Sequence, residues 1–270
     1  MPELPEVETT LRGISPYLLN KKIKSIQVRQ PKLRWPVPAE LHDAENQTVK
    51  SLHRRGKYIV AGTASGSILL HLGMSGSLRI VDKPFETRKH DHVLFELANN
   101  KWLVYHDPRR FGTILWTNGA AASHPLLADL GPEPLSDTFD GNHLFKHSRK
   151  KKVAVKNFIM NGHIVVGVGN IYASEALYRS GIRPGKAAGR VSAAAFDSLA
   201  LEIKEVLAAA IKSGGTTLRD FVNSEGQPGY FQQTLNVYGR EGLPCRKCSS
   251  LIKQRTIGQR STFYCSTCQS

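Results

Sequence analysis

The sequence is short of three features, and each shortage excludes a class of protein. No cysteine occurs before position 245, so a disulfide framework along the whole chain is excluded. No apolar run is long enough to span a membrane. The N-terminal residues are rich in acids and lack the apolar core of a secretion signal. We therefore expect a cytoplasmic protein.

Acidic residues are also few relative to basic ones. The chain has 22 Asp and Glu against 37 Lys and Arg, which gives a formal net charge of +15. Such an excess suits a polyanionic partner, most often a nucleic acid. An anionic membrane is the alternative, but no basic amphipathic segment indicates membrane anchoring. The length of 270 residues suits two domains better than one.

The pattern of apolar residues changes from strand-like to helical near the middle of the chain. A first helix is predicted from about residue 3 to 14, because Val7, Leu11 and Ile14 share one face. Short apolar runs then predict strands as far as about residue 116, including a hairpin that turns at residues 98–100. Several strands at short spacing indicate a sandwich or a barrel. Helical patterns follow, so the predicted fold class is α+β.

A proline-rich stretch at residues 124–139 predicts a connection between domains. After it, Asn170 is predicted to cap a helix that stops at Gly181. A longer helix is predicted to begin after Ser192 and to end at residues 214–215. The predicted division is a β-rich domain at 1–132, a linker at 133–150, a helical domain at 151–235 and a cysteine segment at 236–270.

All four cysteines form two C-x2-C pairs near the end of the chain, separated by sixteen residues. Zinc prefers four thiolate ligands in a tetrahedron, and each pair supplies two of them from one tight turn. We predict a single structural zinc ion, with an iron–sulfur cluster or two disulfides as alternatives. No ligand position remains open for metal catalysis. A hairpin turning at residues 258–259 would bring the pairs together and place Arg260 beside the turn. The predicted ligands are Cys245, Cys248, Cys265 and Cys268.

The N-terminal sequence "MPELPEVE" permits two interpretations. Proline and acids favour the first turn of a helix without any further role. Removal of Met1 would also free the secondary amine of Pro2, and an α-amino group has a pKa of about 8, so a useful fraction is neutral. Such an amine can attack an aldehyde-level carbon and form an iminium. Glu3 could then donate a proton, and Lys57 is a further acid–base or phosphate-binding candidate.

Other segments suggest contacts with DNA. Lys151 lies in the basic run "RKKK", which suits phosphates but is also typical of a solvated surface. Asn170 opens a helix after two glycines, where backbone N–H groups bind anions. Arg109 with Phe111 could form a wedge that fills the gap left by an unstacked base, although Met74 and Phe111 would be ordinary core residues in most proteins.

Nine motifs, in order, resemble the bacterial formamidopyrimidine-DNA glycosylase family. They are "PELPEVE", "HLGMSG", "KHDHV", "DPRRFG", "VVGVGNIYASEAL", "GGTTLRDF", "GQPGYF", "VYGREG" and "QRSTFYC", and they cover nearly the whole chain. The resemblance implies an N-terminal helix-flanked β-sandwich and a C-terminal helix–two-turns–helix domain with a four-cysteine zinc finger. It also implies a monomer that binds damaged double-stranded DNA between its two domains.

The resemblance implies roles for individual residues. Pro2 matches the nucleophile at the sugar C1′ and Glu3 the general acid. Lys57 matches the lysine of β-elimination and Arg260 the finger arginine of δ-elimination. The remaining matches are void-filling residues (Met74, Arg109, Phe111), DNA-binding residues (His90, Arg109, Lys151, Asn170) and a loop over the everted base (Thr216–Tyr230). Asn161 departs from the family, which usually has an acid there, but it is not a catalytic position.

The reaction that the resemblance implies is excision of 8-oxoguanine and formamidopyrimidines, followed by strand cleavage through β,δ-elimination. Endonuclease VIII, which prefers oxidised pyrimidines, is the nearest alternative because it shares the Pro-Glu start and the zinc finger. Leu4 and the "GGTTLRDF" and "GQPGYF" motifs resemble the purine enzyme more. A non-catalytic zinc-finger protein is the alternative from another class.

Overall fold

The computed structural model describes residues 2–215 and 235–270, which divide into two compact units. Unit 1 contains residues 2–129 with 213–215, and unit 2 contains residues 130–212 with 235–270. Met1 and the predicted lesion-covering loop, Thr216–Tyr230, lie outside the described residues. Within the described ranges, no helix combines the length and the apolar character needed to cross a membrane.

Unit 1 consists of two four-stranded antiparallel sheets and a long helix. One sheet has the order β1-β6-β7-β5 and the other β2-β3-β4-β8. The elements are α1 (Leu4–Leu18), β1 (Ile23–Val28), β2 (Ser51–Arg55), β3 (Tyr58–Gly62), β4 (Ser67–His71), β5 (Ser77–Asp82), β6 (Asp91–Leu97), β7 (Lys101–His106), β8 (Thr113–Thr117) and a short α2 (Pro125–Ala128).

Alternating residues of both sheets and one face of α1 form a single core. Ile59 of β3, Phe95 of β6 and Ile14 of α1 belong to the same buried cluster. This period of two is the arrangement expected when each sheet has one buried face. The β6–β7 hairpin confirms the turn predicted at residues 98–100. Helix α1 extends beyond the predicted end because Leu18 continues its buried stripe.

Unit 2 contains four helices and a two-stranded finger. The elements are α3 (Gly141–Ser148), α4 (Val155–Ile159), α5 (Asn170–Arg179), α6 (Ala193–Lys212), β9 (Lys253–Ile257) and β10 (Arg260–Tyr264). Helix α6 packs against α3 and α5, and α5 also contacts β10. Residues 133–150, predicted to be a linker, therefore include a helix that packs within unit 2.

The ends of α5 and α6 test the predicted caps. Gly169, not Asn170, is the N-cap of α5, so the prediction for Asn170 was wrong; its side-chain amide donates to the Ser261 carbonyl instead. Gly181 has a φ of +69° just after α5, which confirms it as the stop. The Ser192 hydroxyl accepts a hydrogen bond from the Ala195 N–H at 3.3 Å, as expected of a cap.

The finger hairpin turns at Gly258-Gln259, where φ is +57° and +61°. Positive φ at both central residues is the geometry that a two-residue hairpin turn requires. The predicted turn is therefore confirmed. A Cβ at Gly258 would lie 2.2 Å from the Asn157 amide nitrogen, so a side chain there would have to displace the Asn157 side chain on α4.

Candidate functional site

The first turn of α1 buries the two residues at the N-terminal end of the described chain. Pro2 is buried, and Glu3, which is 2% exposed, is the N-cap of α1. The Glu3 N–H donates to the Glu6 carboxylate at 2.8 Å, and the two residues form a capping box. The backbone at Pro2 and Glu3 is thus held in a fixed position at the positive end of the helix dipole.

Lys57 lies in the turn between β2 and β3, after Gly56 with a φ of +59°. Its charge acts on His71 at the end of β4. Burial, followed by the charges of Lys57 and Arg34, lowers the pKa of His71 to about 4. His71 is therefore neutral near pH 7, and its Nδ1 accepts the Gly73 N–H at 3.0 Å. The structure thus places the Lys57 ammonium near the strand that leads to Met74.

Two neighbouring loops carry the predicted void-filling residues. Met74 is 38% exposed on the loop after β4, and Phe111 is 44% exposed on the loop after β7. The Arg109 guanidinium carbon lies 5.0 Å from the centroid of the Phe111 ring. The core interpretation of Met74 and Phe111 was therefore wrong, because both apolar side chains reach the surface. A cation and two apolar groups on one exposed edge suit contact with stacked bases.

His90 lies beside a buried ionic cluster at the start of β6. Its ring packs edge-on against the rings of His92 and His106, with centroids 6.1 and 5.9 Å away. His106 and Arg79 bind the buried Asp91 carboxylate. Burial would raise the pKa of Asp91, but hydrogen bonds from His106 and Arg79 outweigh it and hold that pKa well below its usual range. The cluster supports His90 at the surface of unit 1.

In unit 2, Asn170 and Lys156 hold the strand that carries Arg260. The Asn170 amide donates to the Ser261 carbonyl at 3.0 Å. The buried Lys156 ammonium donates to the same carbonyl at 3.2 Å and to the Thr262 hydroxyl at 2.7 Å. Arg260 itself is exposed at the first position of β10. Lys156 was not identified from the sequence, although a lysine among the apolar residues of "VAVKNFI" was a signal.

Lys151 lies apart from this group, on the segment between α3 and α4. Its N–H donates to the Ser148 carbonyl at 2.9 Å, and its own carbonyl accepts the Gly189 N–H at 2.9 Å. The side chain is exposed. The backbone of Lys151 is thus fixed while its ammonium remains available to an anion.

The four cysteines converge on one point, as predicted from their spacing. Their sulfur atoms all lie within 4.8 Å of one another. The Cys245–Cys268 and Cys248–Cys265 sulfur pairs are 3.9 and 3.4 Å apart, too far for disulfides. Zn–S bonds of about 2.3 Å in a tetrahedron require sulfur separations of about 3.8 Å. The donor set therefore fits one tetrahedral zinc ion.

The Tyr178 hydroxyl extends this centre into α5. It lies 3.2 Å from the Cys245 sulfur. Burial, followed by the hydrogen bond to the Cys245 sulfur, raises the pKa of Tyr178, which keeps the phenol protonated as a donor to the sulfur. Tyr178 also packs in one cluster with Val237 and Phe263 of the finger. Helix α5 and the finger therefore share a core.

Glu175 is a further residue that the sequence analysis missed. Its carboxylate, 1% exposed on α5, accepts the backbone N–H groups of Asn236, Val237 and Tyr238 at 2.8–2.9 Å. It also accepts the Asn236 side-chain amide at 3.1 Å. A glutamate in the middle of an otherwise apolar helix face was the available signal. The contact fixes the chain that enters the finger.

We expect Glu175→Gln to destabilise unit 2 by about 1–3 kcal/mol, because its amide group would face N–H donors in a buried site. Urea unfolding monitored by circular dichroism measures the change. Glu205→Gln, on the exposed face of α6, is the matched control and should change little. Equal stability of the two variants would contradict the anchoring role of Glu175.

Comparisons with known proteins agree along the whole chain. The family models that match are the formamidopyrimidine-DNA glycosylase N-terminal domain at residues 1–114, the H2TH domain of the same family at 130–222, and a zinc finger found in FPG and IleRS at 242–270. A formamidopyrimidine-DNA glycosylase of Thioalkalivibrio sulfidiphilus is 54% identical over 270 residues, which is all of both chains. One of Alcanivorax borkumensis is 55% identical over 269 residues, again with full coverage.

Solved structures of the family have the same fold. The MutM (Fpg) protein of Thermus thermophilus aligns with a TM-score of 0.89 and 35% identity, over 99% of this chain and 98% of that one. Lactococcus lactis Fpg in complex with abasic-site DNA aligns with a TM-score of 0.90 and 31% identity, over 99% of both chains. The predicted α+β architecture is confirmed. The chain belongs to the formamidopyrimidine-DNA glycosylase family of DNA-binding repair enzymes with a C-terminal zinc finger.

Proposed function

We propose that this chain excises 8-oxoguanine and formamidopyrimidines from duplex DNA and then cleaves the strand at the abasic site. The observation that carries the proposal is the buried start of α1, where Pro2 and the capping-box residue Glu3 are held together. A proline amine in a fixed position is suited to covalent catalysis once Met1 has been removed. The fold and the full-length family match support the same activity.

In the first step, the Pro2 nitrogen attacks C1′ of the damaged nucleotide. The new C1′–N bond replaces the bond to the base, which departs with its electron pair and takes up a proton. Glu3 then protonates the ring oxygen O4′, and the sugar opens as the nitrogen loses its proton and forms an iminium with C1′. Base removal and the covalent intermediate thus arise from the same nucleophile.

The iminium withdraws electrons from C2′ and makes its protons acidic. Lys57 assists β-elimination, in which a C2′ proton is lost and the 3′-phosphate leaves. Arg260 assists δ-elimination, in which the 5′-phosphate leaves as well. Both leaving groups are phosphates, so a cation near each one stabilises the charge that develops.

Recognition of the duplex is assigned to two sets of residues. His90, Arg109, Lys151 and Asn170 bind the DNA strands, mainly through phosphates. Met74, Arg109 and Phe111 fill the space left by the everted nucleotide, which is consistent with their exposure on one edge of unit 1. We further propose that the chain acts as a monomer in the cytoplasm.

A single zinc ion completes the finger. Cys245, Cys248, Cys265 and Cys268 hold it, and its contribution is structural because all four positions of the tetrahedron are filled by thiolates. The finger in turn presents Arg260 on β10, which Asn170 and Lys156 support from α5 and α4.

Two experiments test the activity against its alternatives. Borohydride added during incubation with abasic DNA should trap a crosslink at the Pro2 nitrogen, whereas a non-catalytic zinc-finger protein would give none. Single-turnover cleavage of matched duplexes should be faster with 8-oxoguanine than with thymine glycol. Faster cleavage of the thymine-glycol duplex would instead identify an enzyme with the preference of endonuclease VIII.

Arg260→Ala is expected to separate the steps of the reaction. Base removal should change by less than about threefold, while δ-elimination should fall by roughly tenfold or more, because a cation near the second leaving phosphate is lost. Gel analysis of the 5′ and 3′ products distinguishes the two. Arg255→Ala, an exposed arginine on β9 of the same hairpin, is the matched control. Equal losses of both steps in Arg260→Ala would refute the separate role.

A further inference from the structure

Asp107 is a buried carboxylate to which the proposed reaction assigns no role. It follows β7 directly and is 0% exposed. One oxygen, Oδ1, accepts the Ser75 hydroxyl at 2.8 Å and the Arg109 N–H at 3.3 Å. The other, Oδ2, accepts the Gly112 N–H at 2.8 Å and lies 3.3 Å from the Tyr105 hydroxyl.

Three of these groups, from Ser75, Arg109 and Gly112, come from the two loops that carry the void-filling side chains. Ser75 follows Met74 on the first loop, and its hydroxyl also accepts the Arg109 N–H at 3.3 Å. Arg109 and Gly112 bracket the second loop. A single carboxylate therefore connects the residue next to Met74 with both ends of the segment that carries Phe111.

The backbones of the two loops also touch. A Cβ at Gly73 would lie 2.4 Å from the Gly112 nitrogen, and Gly73 has a φ of +62°. On the second loop, Arg110 has a φ of +55°, which is unusual for a residue with a side chain. A conformation of this kind persists only when surrounding contacts impose it. The Asp107 hydrogen bonds on either side of Arg110 supply such contacts.

Burial cannot hold the tips of these loops, because Met74 and Phe111 are 38% and 44% exposed. The loops are instead held by hydrogen bonds to the buried carboxylate of Asp107. A buried carboxylate is tolerated only where donors satisfy it, and hydrogen bonds to a charged acceptor are stronger than neutral ones. These hydrogen bonds therefore fix the conformation of the two loops that form one exposed edge.

We propose that Asp107 is the positioning residue that preorganises the void-filling edge formed by Met74, Arg109 and Phe111; this inference rests on the proposed function. The carboxylate touches neither the sugar nor the base. It acts by keeping the two loops in register, so that little ordering is required when the edge enters the duplex. Its loss should impair only those steps that need a nucleotide to leave a base stack.

The test uses Asp107→Asn, because an amide keeps the size of the side chain but has one acceptor oxygen, so the donors to either Oδ1 or Oδ2 lose their acceptor and face an NH2 group. Asp82→Asn is the matched control, since the Asp82 side chain is exposed on β5, where its carboxylate accepts a hydrogen bond from the Lys101 ammonium. Two rates are measured with the full-length protein. One is single-turnover excision of 8-oxoguanine from a duplex, and the other is borohydride trapping on a single-stranded abasic oligonucleotide, which has no stack to invade.

We expect Asp107→Asn to slow duplex excision by roughly ten- to a hundredfold and to leave single-strand trapping within about twofold of the unmodified chain. Ser75→Ala, which removes one bridge only, should show the same pattern with a smaller loss. Adding Phe111→Ala to Asp107→Asn should slow excision by less than the product of the two separate effects, because both changes damage the same edge.

Equal losses on both substrates would show general damage to the fold and overturn the positioning role. Unchanged duplex excision in Asp107→Asn would overturn it as well. The proposed function predicts that the protein forms a crosslink once Met1 has been removed. If this otherwise unchanged protein forms none on either substrate, both the proposed function and this inference are refuted. If the unmodified chain is active and the Asp107→Asn variant is equally active on the duplex, this inference fails while the proposed function stands.

Discussion

A chain that keeps Met1, or any other residue joined to Pro2, is expected to lose base excision by about a thousandfold or more, as removal of a catalytic nucleophile does in other enzymes. Acylation converts the secondary amine into an amide, which cannot form an iminium. Mass spectrometry establishes the state of the N-terminus, and borohydride trapping on abasic DNA measures the chemistry.

Substitution at the same position gives a graded result. Pro2→Gly retains a primary amine, so we expect a reduced crosslink rather than none. Pro16→Ala is the matched control, because this proline lies on the exposed side of α1 and should leave the yield unchanged. A crosslink that survives in Pro2→Gly at full yield, or in a chain with a blocked N-terminus, would contradict catalysis by the Pro2 amine.

Removal of zinc is expected to abolish specific binding of duplex DNA, with a loss of affinity of about a hundredfold or more, because the free energy of binding a structural zinc ion is folding free energy. Five buried residues of the finger and Tyr178 of α5 form one small core, and two of the five are cysteines of the proposed zinc site. Without the metal this core is too small to fold alone. Titration of a fluorescent duplex with chelated and reconstituted protein measures the effect.

Cys248→Ala should reproduce the effect of chelation, whereas Thr267→Ala should not. Thr267 lies between the two cysteines of the second pair but is exposed, and its hydroxyl is 2.9 Å from the Ser250 hydroxyl. Readdition of zinc should restore binding in the chelated protein but not in Cys248→Ala. Normal duplex binding by a chelated protein would refute the structural role of the metal.

Most of the secondary structure that the sequence predicts follows from residue patterns within a few positions of the chain. The stripe of α1, the turn at residues 98–100 and the glycine-led turn of the finger all depend on neighbours within a few residues. Convergence of the cysteines followed from the chemistry of two C-x2-C pairs. For α3, the signal was present but overlooked: Asp140 accepts the His143 N–H at 2.7 Å as an N-cap, within a stretch that its prolines suggested was a linker.

Contacts between distant parts of the chain could not be predicted in the same way. Asn170 has the composition of an N-cap, but its amide binds Ser261, which is 91 positions away. The bonds of Asp107 and Glu175 likewise join segments that only the tertiary fold brings together. The sequence thus predicts residues for the chemistry, whereas the contacts that hold these residues in place became visible only in the structure.

Because α5 and the finger share a core, binding of a metal by the finger is thermodynamically linked to the folding of α5. A ligand that binds only the folded state stabilises it further as its free concentration rises. Tyr178 joins α5 to that state, so the zinc supply also sets the stability of the helix that carries Asn170. Pro2 belongs to the other unit, which contains none of the four cysteines. Under zinc starvation, we expect DNA binding by this chain to fall before the proposed chemistry of the Pro2 amine does.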